Sequence, residues 1–311
     1  MRKPSSVVFL VGPTAVGKSA VAIELAQKLN AEIISCDAMQ VYREASIASD
    51  KPLTAMRCSV VHHLIDIVSV EEEFNVARYR SLALAAIEDI RSRGKVPLVV
   101  GGSGMYMMAL LDGLFDEGTP DAAARARLDA QDVKALYARL LSVDPVAAGK
   151  IKSNDKMRIV RALEIFDTTG IPISEQQKKR DGIWGKYDIR IIALERPREE
   201  LYARVEARID AMFAAGLVDE VKTLLGKKLS STGSRIIGLP EVKGFLDGEY
   251  DLERAKYLMK LHTRHYVKRQ MTWFRKDKRL EWVMLGANEA VEDIVKRILF
   301  LPRSQGDVRF Q

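Results

Sequence analysis

Eight consecutive residues, Gly12-Pro13-Thr14-Ala15-Val16-Gly17-Lys18-Ser19, fit the pattern G-x-x-x-x-G-K-[ST]. Such a loop curls with its backbone N–H groups inward, and a helix that follows it adds the positive potential of its N-terminus. Lys18 is suited to neutralise phosphate oxygens, and the Ser19 hydroxyl to reach a Mg²⁺ ion. The pattern predicts a diphosphate-binding loop without saying which diphosphate. A motor or switch NTPase carries an Asp at the end of a later strand to hold the Mg²⁺ shell. Here the best later strand ends in Gly101-Gly102-Ser103-Gly104, and Asp66 in HHLIDI is a poorer substitute. That moves the weight toward small-molecule transferases, kinases among them.

Asp37, in the run Ser35-Cys36-Asp37-Ala38-Met39-Gln40, follows a second apolar stretch. At the carboxyl edge of a parallel sheet it faces the same crevice as the phosphate loop, where a carboxylate can act as general base. The plainer reading of Asp37 is a helix N-cap. Gln40 offers a donor and an acceptor suited to an adenine edge, and Ser103 a hydroxyl for a phosphate or a base. The four histidines, His62-His63 and His262/His265, read as structural or polar contacts rather than a zinc site.

These groups need a scaffold. Val7–Val11, Glu32–Ser35, Val96–Val100 and Asp188–Leu194 read as strands, with helices over Ser19–Leu29 and Val76–Arg93 between them. Strands alternating with helices predict α/β architecture: a parallel-sheet core on a phosphate loop, a helical insertion domain, and a helical C-terminal region. The expected division is 1–112 for the first part of the core, 113–187 for the insertion, and 188–311 for the rest with basic helices.

The chain has 311 residues, 47% hydrophobic and 29% charged, ample for a sizeable core and against wholesale disorder. Two cysteines make a disulfide framework untenable, and no apolar run reaches the ~18–20 residues that span a bilayer. A soluble, cytoplasmic, monomeric protein is the expectation. The net charge is +7, yet Lys227–Arg279 alone has 14 Lys+Arg against 6 Asp+Glu. That excess of eight predicts a polyanion partner, with a solvated helix face as the plainer reading. Lys256, Lys260, Arg264 and Lys268 recur there every fourth residue.

Taken in order, GPTAVGKS, ISCDAMQVYR, HHLIDI, VPLVVGGSGMY, NDKMRIVRALEIF and KRQMTWFR closely resemble the bacterial tRNA dimethylallyltransferase family, also called tRNA isopentenyltransferases. The resemblance implies transfer of a dimethylallyl group from dimethylallyl diphosphate, with Mg²⁺, to N6 of the adenosine 3′-adjacent to the anticodon. The implied tRNAs are those reading codons that begin with U. It implies that Gly12 to Ser19 hold the diphosphate, that Asp37 is the general base, that Ser19 binds Mg²⁺, and that Arg208 clamps the diphosphate. It further implies RNA contacts at Asp37, Ala38, Met39, Gln40, Ser103, Arg125, Met157, Arg158, Ile159, Val160, Arg161, Arg235, Ile236, Ile237 and Gly238, with the insertion gripping the anticodon stem. The chain departs from the family's pattern at Leu239-Pro240, where Tyr-Arg or Tyr-Lys is usual, and at Ala38, where Ser is common. The alternatives are a small-molecule kinase, a prenyltransferase acting on free adenine nucleotides, and a non-enzymatic RNA-binding module.

Overall fold

The computed structural model describes residues 6–115 and 122–302. Six strands form one sheet: β1 (Ser6–Val11), β2 (Ala31–Cys36), β3 (His62–His63), β4 (Val96–Gly101), β5 (Asp188–Glu195) and β6 (Glu281–Met284). Their order is β3-β2-β4-β1-β5-β6, and every pairing is parallel. The run SVVFLV in β1 is buried at every position, as a central strand covered on both faces must be. Because all six strands run one way, the residues that follow β1, β2, β4 and β5 emerge at a single edge.

Two strands lie where the sequence predicted none. β3 is only two residues long and is identified by its register with Ile33 and Ile34 of β2. β6 is four residues long, pairs with β5, and interrupts a region read from sequence as helical throughout. Strands so short carry no period that sequence alone can register.

The helices that position the site are amphipathic. Lys18–Leu29 buries Val21, Ala22, Leu25 and Ala26 and is closed by Asn30 in the left-handed conformation. Arg198–Ala214 buries Leu201, Val205, Ile209 and Met212. Leu252–Phe274 buries Ala255, Met259, Thr263, Val267, Gln270 and Phe274 at helical spacing, leaving its flanks charged.

The chain divides into two compact units, Leu111–Ile183 and the remainder. The helical unit starts and ends a few residues before the expected 113–187. Its end is set by Trp184, which lies under the Arg279 guanidinium at 4.9 Å and so belongs with the sheet unit. Within the helical unit, Leu128, Leu136, Leu140, Ile159, Val160 and Leu163 form a separate core. Asp132 and Asp155 cap its longer helices, and buried Asp144 accepts N–H groups of both Ala147 and Ser174 at 2.9 Å. Among the described residues, no helix is long and apolar enough to cross a membrane.

Candidate active site

The phosphate loop leaves β1 and enters the Lys18–Leu29 helix through backbone that few residues accept. Gly17 has φ 110°, and Ala15 adopts φ 63°, a left-handed conformation that is strained for a residue with a side chain. What holds it is a ring of cations bonded to the loop's own carbonyls. Lys18 Nζ donates to Gly12 O (3.0 Å) and Pro13 O (2.7 Å), Arg204 Nε to Ala15 O (2.9 Å), and Arg196 Nε to Val16 O (2.9 Å). With these four carbonyls committed to cations, the loop keeps its remaining N–H groups for an anion. Desolvation pulls the Lys18 ammonium down to about 8; Asp37 opposes that shift and Arg208 adds to it. A cation so disfavoured gains from a bound anion.

Asp37 follows β2 at the same edge. Its Oδ1 accepts the Met39 N–H at 2.8 Å, a turn rather than a helix cap, since no helix begins there. Among the described residues its Oδ2 has no protein partner. Ser103 follows β4, and its Oγ accepts the Ala38 N–H at 3.1 Å, tying the two strand ends together. Their close approach requires Gly101: a Cβ there would lie 2.0 Å from Cys36 O.

A cavity of about 910 Å³ joins these groups. Of the predicted diphosphate residues, Thr14, Ala15, Gly17, Lys18 and Ser19 line it, while Gly12, Pro13 and Val16 lie behind it. Asp37, Ala38, Met39, Gln40, Ser103, Arg208, Arg235, Ile236 and Ile237 line it as well. Gly238 does not; at φ 91° it starts the Leu239–Leu246 helix. Ser19 is exposed, and among the described residues no three His, Cys, Asp or Glu side chains gather. A lone hydroxyl beside an anion loop fits a hard cation such as Mg²⁺, which takes most of its ligands from phosphate and water.

Several of the expected residues have partners within the protein. Gln40 lines the cavity, but its Oε1 accepts from Ser35 Oγ (3.0 Å) and its Nε2 donates to Asp50 O (3.3 Å), so both polar ends already serve the protein. Ile159 and Val160 are fully buried in the core of the helical unit, which leaves their side chains no surface for an RNA. On that helix Met157 and Arg158 are exposed, whereas Arg125 (3.2 Å) and Arg161 (2.7 Å) both pair with buried Glu164. Part of the every-fourth basic stripe is a seam between helices: Lys260 pairs with Asp210 at 2.7 Å and Arg264 with Glu206 at 2.8 Å, whereas Lys256 pairs within its own helix, with Glu253 at 2.7 Å. Arg208 also has a partner, Asp50 at 2.8 Å. Asp66 is taken by Lys51 and Arg57, both at 2.6 Å. His63 and His262 hydrogen-bond the carboxylates of Glu32 (2.8 Å) and Glu241 (2.6 Å), partners remote in sequence.

The family model described as IPP transferase matches residues 40–277, more than half of the chain. The chain belongs to the IPP transferase family. It is 42% identical over 305 residues to a tRNA dimethylallyltransferase of Heliobacterium modesticaldum, covering 94% of this chain and 95% of that one. The crystal structure of a full-length tRNA isopentenylpyrophosphate transferase from Bacillus halodurans superposes with TM-score 0.69 at 36% identity, covering 96% of each chain. A eukaryotic dimethylallyltransferase, solved in snapshots of its action on tRNA, superposes with TM-score 0.79 at 31% identity over 90% of this chain and 74% of that one.

Beyond the residues expected of an IPP transferase, the cavity is lined by Arg204, Glu241, His262, Thr263, Tyr266, Arg269 and Gln270. Glu241 is 6% exposed and Thr263 1%, and among the described residues neither Glu241 Oε2 nor Thr263 Oγ1 has a hydrogen-bond partner. Two buried, unsatisfied polar atoms on a cavity wall call for a polar ligand. Tyr266 is held protonated by burial and by the nearby Asp37 charge, and so remains a donor. The Leu252–Phe274 periodicity contained the signal for Thr263 and Gln270, two polar residues on an otherwise apolar stripe.

Proposed function

We propose that the protein transfers a dimethylallyl group from dimethylallyl diphosphate to N6 of the adenosine 3′-adjacent to the anticodon, in tRNAs reading codons that begin with U. The observation that carries this reading is that one cavity is lined both by an anion loop with a desolvated lysine and by a carboxylate with a free oxygen. The kinship with proteins named tRNA dimethylallyltransferase supports the choice of donor and acceptor.

In the reaction, the N6–C bond forms as the C–O bond to diphosphate breaks, and the electron pair departs on the diphosphate oxygen. The loop N–H groups, Lys18 and Arg208 take up the developing charge, Arg208 exchanging Asp50 for the diphosphate. Asp37 accepts the N6 proton through the oxygen that no protein group occupies. Ser19 would hold Mg²⁺ against the diphosphate, and the ion would supply further charge neutralisation. The acceptor adenine leaves its stack to enter, a cost that is least for a loop base. There, the unsatisfied Glu241 and Thr263 oxygens and the Tyr266 hydroxyl offer partners to nucleotide edges. Exposed Met157 and Arg158 of the helical unit, and Arg235 with Ile236 and Ile237, are the proposed RNA contacts, with the anticodon arm as partner and a monomer as the acting form.

The test incubates the protein with Mg²⁺, labelled dimethylallyl diphosphate and unmodified tRNA, followed by digestion and identification of the labelled nucleoside. Label on N6 of the adenosine beside the anticodon is expected. Label on AMP in place of tRNA, or turnover of ATP without tRNA, would overturn the reading.

A further inference from the structure

We propose that Gln270 is a positioning residue for this transfer: its side-chain amide fixes the phosphate loop relative to the turn that carries Ser103 and steadies Asp37. The inference rests on the function proposed above. Gln270 is 7% exposed, on the inward stripe of the Leu252–Phe274 helix. Its Oε1 accepts the Thr14 N–H at 3.0 Å, and its Nε2 donates to Gly102 O at 3.0 Å. These partners fix the amide's orientation, since flipping it would set donor against donor and acceptor against acceptor.

Each bond reaches a working part of the site. The Pro13–Thr14 peptide is planar, so holding its N–H also aims its carbonyl, the 2.7 Å acceptor of Lys18 Nζ. Gly102 precedes Ser103, whose Oγ takes the Ala38 N–H beside Asp37. β1 and β4 are neighbours in the sheet, but backbone pairing between them stops at Val11 and Gly101. Beyond that point sheet pairing gives way to two loops, and the Gln270 amide bridges them. The fit is tight: a Cβ on Gly102 would lie 2.4 Å from Gln270 Nε2, so the glycine supplies the room that the amide needs. The arrangement holds the leaving-group loop and the general base in a common frame, the kind of alignment whose loss by about 1 Å costs on the order of 100-fold in rate.

Gln270→Met keeps the volume and the helix propensity and deletes the bonds to Thr14 and Gly102, together with the amide's interaction with Tyr266. Against wild type in the full-length protein, kcat for tRNA prenylation is expected to fall about 10–100-fold, with KM for tRNA unchanged within about threefold. Calorimetric affinity for inorganic diphosphate with Mg²⁺ reads the loop without turnover, and is expected to weaken about 3–10-fold. Gly102→Ala attacks the same contact from the other side and is expected to reproduce this pattern. Combined with Gln270→Met the losses should be well short of additive, because the amide contact is already lost and only the new Cβ's approach to Gly12 O, 3.2 Å, remains. If Gln270→Met does not fold by circular dichroism, Gly102→Ala carries both measurements. Wild-type kcat, wild-type diphosphate affinity, or fully additive losses in the double variant would each overturn the proposal. A wild-type protein that binds diphosphate yet prenylates no tRNA overturns the functional reading instead, and the diphosphate measurement still decides the role of Gln270.

Discussion

The phosphate loop brings Thr14, Ala15, Gly17, Lys18 and Ser19 to the cavity from one unbroken stretch, whereas the rest of the wall draws Asp37, Ser103, Glu241, Thr263 and Tyr266 from four separate stretches of the chain. The loop works mainly with backbone N–H groups and a helix terminus, so its chemistry is local and its pattern survives as a motif. The remaining wall works with side-chain heads, whose meeting depends on the parallel sheet and on how the Leu252–Phe274 helix packs. Even the loop is not self-sufficient: Arg196, Arg204 and Gln270, remote in sequence, hold its backbone. Contiguity thus encodes what a site binds, and convergence encodes how firmly and against what it is aimed.

The largest effect that separates the two walls is expected from Asp37→Ala. It should lower the transfer rate by about 10²–10⁴-fold while inorganic diphosphate affinity stays within threefold. Loss of diphosphate binding in that variant would mean that the walls are not separable. Next comes Lys18→Ala, expected to cost about 10–100-fold in diphosphate affinity, measured by calorimetry, with tRNA binding little changed. The wild-type pH profile sharpens this point. Burial lowers Lys18 to about 8, so in the free protein its charge is full at pH 6–7 and lost as the pH rises through 8. Diphosphate affinity should therefore fall above about pH 8; a profile flat to pH 9.5 would contradict the assignment.

A smaller effect is expected at Glu220, whose carboxylate accepts the N–H groups of Ser46 (2.9 Å), Ile47 (2.8 Å) and Ala48 (2.8 Å) and so anchors the loop that delivers Asp50 to Arg208. Glu220→Gln should cost about 1–2 kcal/mol of stability, read as a lowered denaturant midpoint. The smallest effect is a gain. Pro240→Arg places a cation at an exposed position on the cavity wall. It should raise tRNA affinity about two- to threefold and steepen the salt dependence by about one counterion.

The sheet was legible wherever a strand is a continuous apolar run, as in VVFLV or VPLVV, because a strand buried on both faces cannot be polar. β3 and β6 escaped because two and four residues have no period to detect. In the site, Asp37, Lys18 and Ser103 were legible from their positions after strands. The internal partners of Gln40, Ser35 and Asp50, were not legible because they become its neighbours only when the chain turns back on itself. The pairing within the basic stripe was hidden for the matching reason: Glu206 and Asp210, the acids that pair with Arg264 and Lys260, lie on another helix some fifty residues earlier. Sequence counts charges, but only packing shows which are already spent on one another.

Cys36 stands one residue before the proposed base, in a position where oxidation would be ruinous. Burial drives its thiol up to about 12, leaving roughly one molecule in 10⁵ as the reactive thiolate at pH 7. Cys58, by contrast, is exposed. Alkylating reagents and peroxide should therefore mark Cys58 first and leave turnover intact, so that the protein keeps working through an oxidative episode that its surface records.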